Sequence, residues 1–414
     1  MRAWEAPSVP DVPGEGPRPV VHDTASGHPV DPTHGEDRAA LYVCGITPYD
    51  ATHLGHAATY LAFDTLGRAW RDAGLEVEYA QNTTDVDDPL LERAARDGVD
   101  WRELAASQID LFRRDMEALR VLPPDEYVAV TDEVDRVAEA VAFLQETGYA
   151  YEVPTADAAG DDLYFDVNRP TEAWSLGDES RLDRETMATL SAQRGGDPDR
   201  PGKRDPLDPL LWRAAREGEP SWDTVVGPGR PGWHIECSVI AGDRLGLPIS
   251  VQGGGSDLVF PHHEMSAGHA AALAHQPLAN AFVHTGMIAY QGEKISKSLG
   301  NLVTVRGLLD DGADPRAIRL ALLSHRYSDD WEWFDGELSS ATARLATWDA
   351  WAGGAPAGHA DDAADVVARV RARVADDLDT PGAVAAVDTA IAGGTAVTPE
   401  LVDLVDALLG IRLG

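Results

Sequence analysis

The 414-residue chain predicts an α/β fold in which a parallel sheet is interrupted by an insertion and followed by a helical bundle. Three observations carry that prediction. Between residues 39 and 81 a short apolar run, an amphipathic helical stretch and a second strand-like run follow in order, which is the order of a βαβ unit. The same order returns between residues 247 and 288, with a glycine turn between strand and helix. Beyond Leu299 the pattern is helical.

Residues 1–37 are rich in Pro, Gly and Asp and read as an irregular extension. Ala39-Ala-Leu-Tyr-Val-Cys44 is apolar throughout and ends at Gly45, the pattern of a strand buried on both faces. His53-Leu-Gly-His56 opens a helix that runs over Ala57–Ala73 and stops at Gly74. Glu76–Gln81 is the next strand, with Asn82-Thr83-Thr84-Asp85 as the polar loop after it. Helical spacing follows over 89–95, 101–119 and 132–146. The chain then changes character, with short strands at 149–153 and 163–167 among many Arg, Asp and Gly. Leu247–Gln252 resumes the sheet, Gly253-Gly-Gly255 makes a tight turn, and a helix over 262–275 leads to a strand over 281–288. Ala357–Asp362 reads as a loop between helices. The resulting division is an extension (1–37), a first sheet half (38–121), an insertion (122–206), a second half with a lysine loop (207–300) and a helical bundle (301–414).

Lysine is nearly absent. Arginine outnumbers it 31 to 3, and two of the three fall in Lys294-Ile295-Ser296-Lys297-Ser298. An ammonium is a compact point charge on a flexible stem, whereas a guanidinium is a planar fork, so a loop that keeps two suits a phosphate in motion. Cys44 and Cys237 are the two cysteines, too few and too distant for a disulfide scaffold. The formal charge is −36. Nucleic-acid binding is dominated by phosphate neutralisation by Lys and Arg, yet residues 301–414 hold nine arginines, no lysine and 19 acidic residues. That balance argues against a nucleic-acid partner. No stretch approaches the ~20 apolar residues that span a bilayer, and the N-terminus lacks the apolar core of a secretion signal. A cytoplasmic monomer with no membrane partner is therefore expected.

Two constellations carry candidate chemistry. His53 and His56 sit where a strand meets a helix N-terminus, a place that favours anions through free N–H groups and the helix dipole. Alone, they read equally well as a structural pair. Cys44, Cys237 in Gly232-Trp-His-Ile-Glu-Cys237, and His262 in Phe260-Pro-His-His-Glu264 offer two thiolates and an imidazole. Three such ligands suit zinc with an open fourth position, although two buried cysteines and a core histidine fit the same spacing.

Taken together these residues resemble the catalytic domain of the class I aminoacyl-tRNA synthetases, and the cysteinyl-tRNA synthetases in particular. His53-Leu-Gly-His56 is similar to the family's first signature and Lys294-Ile-Ser-Lys-Ser298 to its second. Tyr42-Val-Cys-Gly, Pro231-Gly-Trp-His-Ile-Glu-Cys237 and Gly253-Gly-Gly-Ser-Asp-Leu-Val-Phe-Pro-His-His-Glu264 are similar to further ones. The resemblance implies a Rossmann-like catalytic domain with an inserted connective domain. It implies zinc held by Cys44, Cys237 and His262, with the cysteine thiol as fourth ligand, and ATP with Mg as co-substrate. It also implies roles. His53, His56, Lys294 and Lys297 would neutralise the phosphates; Cys44, Gly45, Ile46, Thr47 and Trp233 would shape the amino-acid pocket. Thr59, Asn82, Thr83 and Thr84 would hold the adenylate, Gly255, Ser256 and Asp257 the ribose, and Ile288 the adenine through its backbone.

The chain departs from the synthetases at Ile46 and Thr47-Pro48, at Ser266 where a glutamate ligand is common, and at Gln252 where a histidine is common. Nothing basic follows the catalytic part. These departures resemble the cysteine:glucosaminyl-inositol ligases of mycothiol biosynthesis, which pass activated cysteine to an amino sugar. That resemblance implies L-cysteine, ATP and glucosaminyl-inositol as substrates. Gln193-Arg-Gly-Gly-Asp-Pro198 also resembles a stretch of those ligases and has no evident role beyond a surface turn. Asp85, Asp87 and Asp88 are candidates for contacts with the acceptor, or a solvated helix start. A shortened cysteinyl-tRNA synthetase and a non-catalytic paralogue are the rival readings.

Overall fold

A computed structural model describes the whole chain apart from residues 50, 291–292, 295–302, 335 and 355–360. Its centre is a five-stranded parallel sheet of β1 (Arg38–Val43), β2 (Glu76–Thr83), β3 (Glu126–Ala129), β4 (Ile249–Gly255) and β5 (Ala279–Thr285). The spatial order is β5-β4-β1-β2-β3. The chain steps from β1 outward to β2 and β3, then returns to place β4 on the other side of β1. The neighbouring carboxyl ends of β1 and β4 are thus the switch point, where an open α/β sheet forms its binding crevice.

Both faces of the sheet are covered, which explains the unbroken apolar run of β1. Leu41 and Val43 point into one core, shared with helix α1 (Leu54–Asp72) and the C-terminal helices. Ala40, Tyr42 and Cys44 point into the other, shared with the insertion and with helices α2 (Trp233–Leu245) and α3 (Glu264–Ala274). Close approach at the crevice requires glycine at one point in particular. A Cβ on Gly45 would lie 1.6 Å from the Asn82 carbonyl oxygen.

The expected βαβ unit forms, with β2 running on through Asn82 and Thr83, which the sequence reading places in a loop. Glu126–Ala129 pairs with β2 in the central sheet, so a boundary at residue 122 falls ahead of a sheet strand. The inserted segment builds its own four-stranded antiparallel sheet from Ala150–Val153, Asp162–Phe165, Leu210–Ala214 and Gly229–Pro231. Its last two strands lie beyond residue 206. The strand expected over 281–288 is broken at Gly286 into β5 and Ile288–Tyr290. The C-terminal part is helical as expected, with a short strand Trp331–Trp333 alongside Ile288–Tyr290. Of the expected loop 357–362, residues 357–360 lie outside the described residues, and Asp361 opens a helix. The N-terminal extension carries a hairpin of Val21–Asp23 and His28–Val30. Trp4 anchors its beginning, buried against Phe112 and Tyr127 and donating to the Val121 carbonyl at 2.7 Å.

Candidate active site

The two cysteines and His262 meet in the crevice from three distant parts of the chain. Cys44 is the first residue past β1, Cys237 lies one turn into α2, and His262 precedes α3. Their donor atoms lie within 4.8 Å of one another, and all three residues are buried. The two sulfurs are 3.7 Å apart and unbonded, and His262 Nε2 is 3.2 Å from Cys237 Sγ. Two sulfurs and an imidazole nitrogen converging without a carboxylate form a soft donor set that fits a zinc ion. Cys237 is held well below the usual thiol range by its contact with Cys44 and then by the His262 imidazole, while burial pushes Cys44 well up. Thiolate character is therefore present at the site.

A second layer orients these donors. His262 Nδ1 lies 3.0 Å from His234 Nδ1. With Nε2 directed at the ligand position, the His262 Nδ1–H donates and His234 accepts; burial keeps His234 neutral by pushing its pKa well down. Trp233 stacks on the His262 ring at 4.4 Å. Ser266 is fully buried, and its hydroxyl donates to the His234 carbonyl at 3.0 Å. It latches α3 to α2 and leaves the metal position to three ligands. The Gln252 amide donates to Cys44 Sγ at 3.1 Å, and His263 Nε2 lies 3.3 Å from the same sulfur. His263 continues to His284 at 2.7 Å and His284 to the Thr24 hydroxyl at 2.7 Å. The sequence reading sets His263 aside as structural and His234 as ambiguous; both touch the candidate ligands, and no spacing pattern announces such contacts.

The nucleotide half lies along β2, α1 and β4. His53 caps α1, its Nδ1 accepting from the Gly55 and His56 amides at 3.1 and 3.4 Å. Two amides expected to face a ligand are thus capped within the chain, and the same bonds make Nε2 the protonated nitrogen of neutral His53. His56 stacks on His53 at 3.8 Å. Thr59 bridges the Gly55 carbonyl and the Thr285 hydroxyl. Asn82, Thr83 and Thr84 are buried and engaged: Asn82 accepts from the Gly45 amide at 2.8 Å and donates to Thr84, while the Thr83 hydroxyl and Thr84 amide meet the Ile46 carbonyl. They fix the Gly45–Thr47 turn against the end of β2. Gly255, Ser256 and Asp257 are half-buried at the end of β4. Ile288 is buried on a strand that pairs with Glu293–Lys294, so the backbone of Lys294 is placed beside the expected adenine strand. Lys297 lies outside the described residues. On the far side of that segment, Thr304 bridges to His53 and the Val303 carbonyl accepts from Leu54.

Of the acidic candidates, Asp85 accepts from the Thr131 amide and hydroxyl and Asp88 pairs with Arg230, so both have structural partners. Asp87 caps the next helix through the Asp88 amide, and burial pushes its carboxyl up to about 6.

Comparisons with known proteins match this geometry. The family model for the tRNA synthetases class I (C) catalytic domain matches residues 30–343. The L-cysteine:1D-myo-inositol 2-amino-2-deoxy-alpha-D-glucopyranoside ligase of Clavibacter michiganensis subsp. michiganensis is 63% identical over all of this chain and 99% of its own length. The ligase of the same name from Kineococcus radiotolerans is 57% identical over the full length of both. Among solved structures, the Mycobacterium tuberculosis methionyl-tRNA synthetase in complex with methionyl-adenylate superimposes with a TM-score of 0.60 at 18% identity, over 88% of this chain and 82% of its own. That likeness concerns the fold.

Proposed function

We infer the activity of a chain that belongs to the class I (C) tRNA synthetase catalytic-domain family: it is an ATP-dependent ligase that joins L-cysteine to the amine of 1D-myo-inositol 2-amino-2-deoxy-α-D-glucopyranoside. The reaction proceeds through cysteinyl adenylate, releases AMP and diphosphate, and forms an amide in mycothiol biosynthesis. The observation that carries this reading is full-length identity of 53–63% to ligases of that name, in a chain whose soft donors converge at the sheet's switch point.

Cys44, Cys237 and His262 are the residues that would hold zinc, which when bound supplies a soft Lewis acid that favours a thiolate over a hydroxyl. Thr47 and Trp233 shape the pocket beside them. The cysteine carboxylate attacks the α-phosphate of ATP. His53, through Nε2–H, and His56 meet the phosphates from the head of α1, and Lys294 and Lys297 meet them from the other side. Positioning and charge neutralisation dominate such transfers, so paired histidines and a paired-lysine loop are sufficient machinery. Mg accompanies ATP. Thr59, Asn82, Thr83 and Thr84 hold the adenylate, Gly255, Ser256 and Asp257 the ribose, and the Ile288 backbone the adenine. The sugar amine then attacks the acyl carbon and AMP leaves. Asp87 is the acidic candidate best able to meet the acceptor, because its two neighbours are engaged elsewhere.

We further place the protein in the cytoplasm as a monomer that binds no nucleic acid. The absence of any membrane-length apolar helix among the described residues supports the first point and the acidic C-terminal part the last. We take the inserted unit to start after Glu146 and to end at Pro231, following its sheet.

The deciding measurement is AMP release from ATP and L-cysteine with either glucosaminyl-inositol or tRNA as acceptor. Turnover with the amino sugar is expected. Turnover with tRNA alone would make the chain a minimal synthetase.

A further inference from the structure

The stretch Gln193–Pro198 closes the helix Arg184–Gln193 in the insertion. Arg194 reaches from it into the catalytic half, where its Nη1 donates to the Asp257 carbonyl at 2.6 Å and to the Phe260 carbonyl. Both acceptors lie in the irregular turn between β4 and α3. Phe260 there has strand-like φ −143° and ψ 136° inside an otherwise helical turn, so the backbone ladder is broken. Carbonyls freed by such a break need another donor, and a guanidinium gives both a charge-assisted bond. This turn opens with Ser256 and Asp257 and ends with His262. One side chain therefore braces the ribose side and the metal side of the site together.

The rest of the stretch makes a firm base for that arm. The Gly196 amide donates to the Ser191 carbonyl at 2.8 Å, and a Cβ on Gly196 would come within 2.2 Å of Ser191 Oγ. Asp197 accepts from the Tyr164 hydroxyl and from Lys203 Nζ, the latter at 2.9 Å, which ties it to the insertion's own sheet.

We propose that Arg194 is a positioning residue that sets the Asp257–His262 turn, so that the insertion completes the cysteine and ATP sites. The inference rests on the site reading given above. Its test uses the full-length chain carrying Arg194→Met or Arg194→Lys, with Arg184→Met as control, which breaks the Arg184–Asp205 ion pair of the same insertion without touching the turn. Three quantities are measured: the KM values for ATP and cysteine in ATP–diphosphate exchange, retention of zinc against a competing chelator, and thermal stability. Arg194→Met is expected to raise both KM values and to weaken zinc retention by about tenfold or more, the usual scale for lost ligand support. Arg184→Met is expected to lower stability alone. Added methylguanidinium is expected to restore part of the loss in Arg194→Ala and none in Arg184→Ala. Wild-type KM values and zinc retention in Arg194→Met would overturn the proposal, as would equal losses in Arg184→Met. If Arg194→Met does not fold, Arg194→Lys decides: intermediate losses in both KM and zinc retention support the brace, and wild-type values overturn it. Zinc retention is read without turnover, so a wild-type chain that fails to ligate cysteine sinks the functional reading while Arg194 is still tested.

Discussion

The scarce residues of this chain gather around one piece of chemistry. Both cysteines stand in the candidate metal centre, and two of three lysines fall in one signature loop. Because Cys237 faces both other donors, Cys237→Ser exchanges a soft thiolate for a hard hydroxyl and is expected to lose zinc, measured as metal per chain after dialysis. Full occupancy in that variant would contradict the ligand set. Lys297→Ala is expected to abolish ATP–diphosphate exchange while cysteine binding persists in calorimetry, and near-normal exchange would remove the lysine from the phosphate site. The ligand residues were legible because thiols and an adjacent histidine pair are rare and stand in ordered motifs. Gln252, His263 and Ser266 were not, since an amide, an imidazole or a hydroxyl has too many ordinary uses to announce a role.

Elements were legible where one face was apolar and the other wet. Helix α2 escaped because Ile235 through Ala241 are all buried, which erases the amphipathic period. Strand β3 escaped because four residues hold too little pattern to separate from a loop. The joint between insertion and catalytic half is built on Glu264 at the head of α3, which accepts from the Trp174 indole at 2.8 Å and from the Gly177 and Ser180 amides at 2.9 and 2.7 Å. Beside it, burial and then the charge of Glu264 push the Glu179 carboxyl up to about 8. An unfolded carboxyl titrates near ~4.3. Between these values the folded chain keeps a proton that the unfolded chain has lost, so stability falls as pH rises. Glu179→Gln is therefore expected to flatten the decline of Tm between about pH 5 and 8. An unchanged slope would assign the decline elsewhere.

At the scale of the whole molecule, the C-terminal helices are bolted to the catalytic helix α1 through a buried charge cluster. Asp64 on α1 pairs with Arg68 at 2.8 Å and with Arg319. Burial works to raise the Asp64 carboxyl, and the two guanidiniums outweigh it, holding the group below its ordinary range. Arg319 also donates to the Leu409 and Leu119 carbonyls, and Arg68 to those of Asp406, Ala407 and Arg120. Arg319→Met leaves those carbonyls without their donor and Asp64 half paired, so chemical denaturation is expected to show a loss of about 3 kcal/mol or more. A loss below about 1 kcal/mol would mean that the cluster relaxes around the gap. The net charge of −36 also repels itself across the molecule, and salt screens that repulsion. Raising NaCl from about 50 to about 500 mM shortens the screening length severalfold and is expected to raise Tm; a fall would show that ion pairs dominate instead.

By itself the sequence determined the donors, the order of the two signatures, the parallel sheet around β1 and the acidic character of the C-terminal part, because each is written in residue type and local period. Only the tertiary structure decided which atoms meet. Cys44, Cys237 and His262 become neighbours through the β10-like placement of β4 beside β1 and the packing of α2 and α3 on one face. Ser266 becomes a latch and Arg194 a brace for the same reason. Such contacts depend on strand register and helix packing between segments far apart in the chain, and no local pattern encodes them.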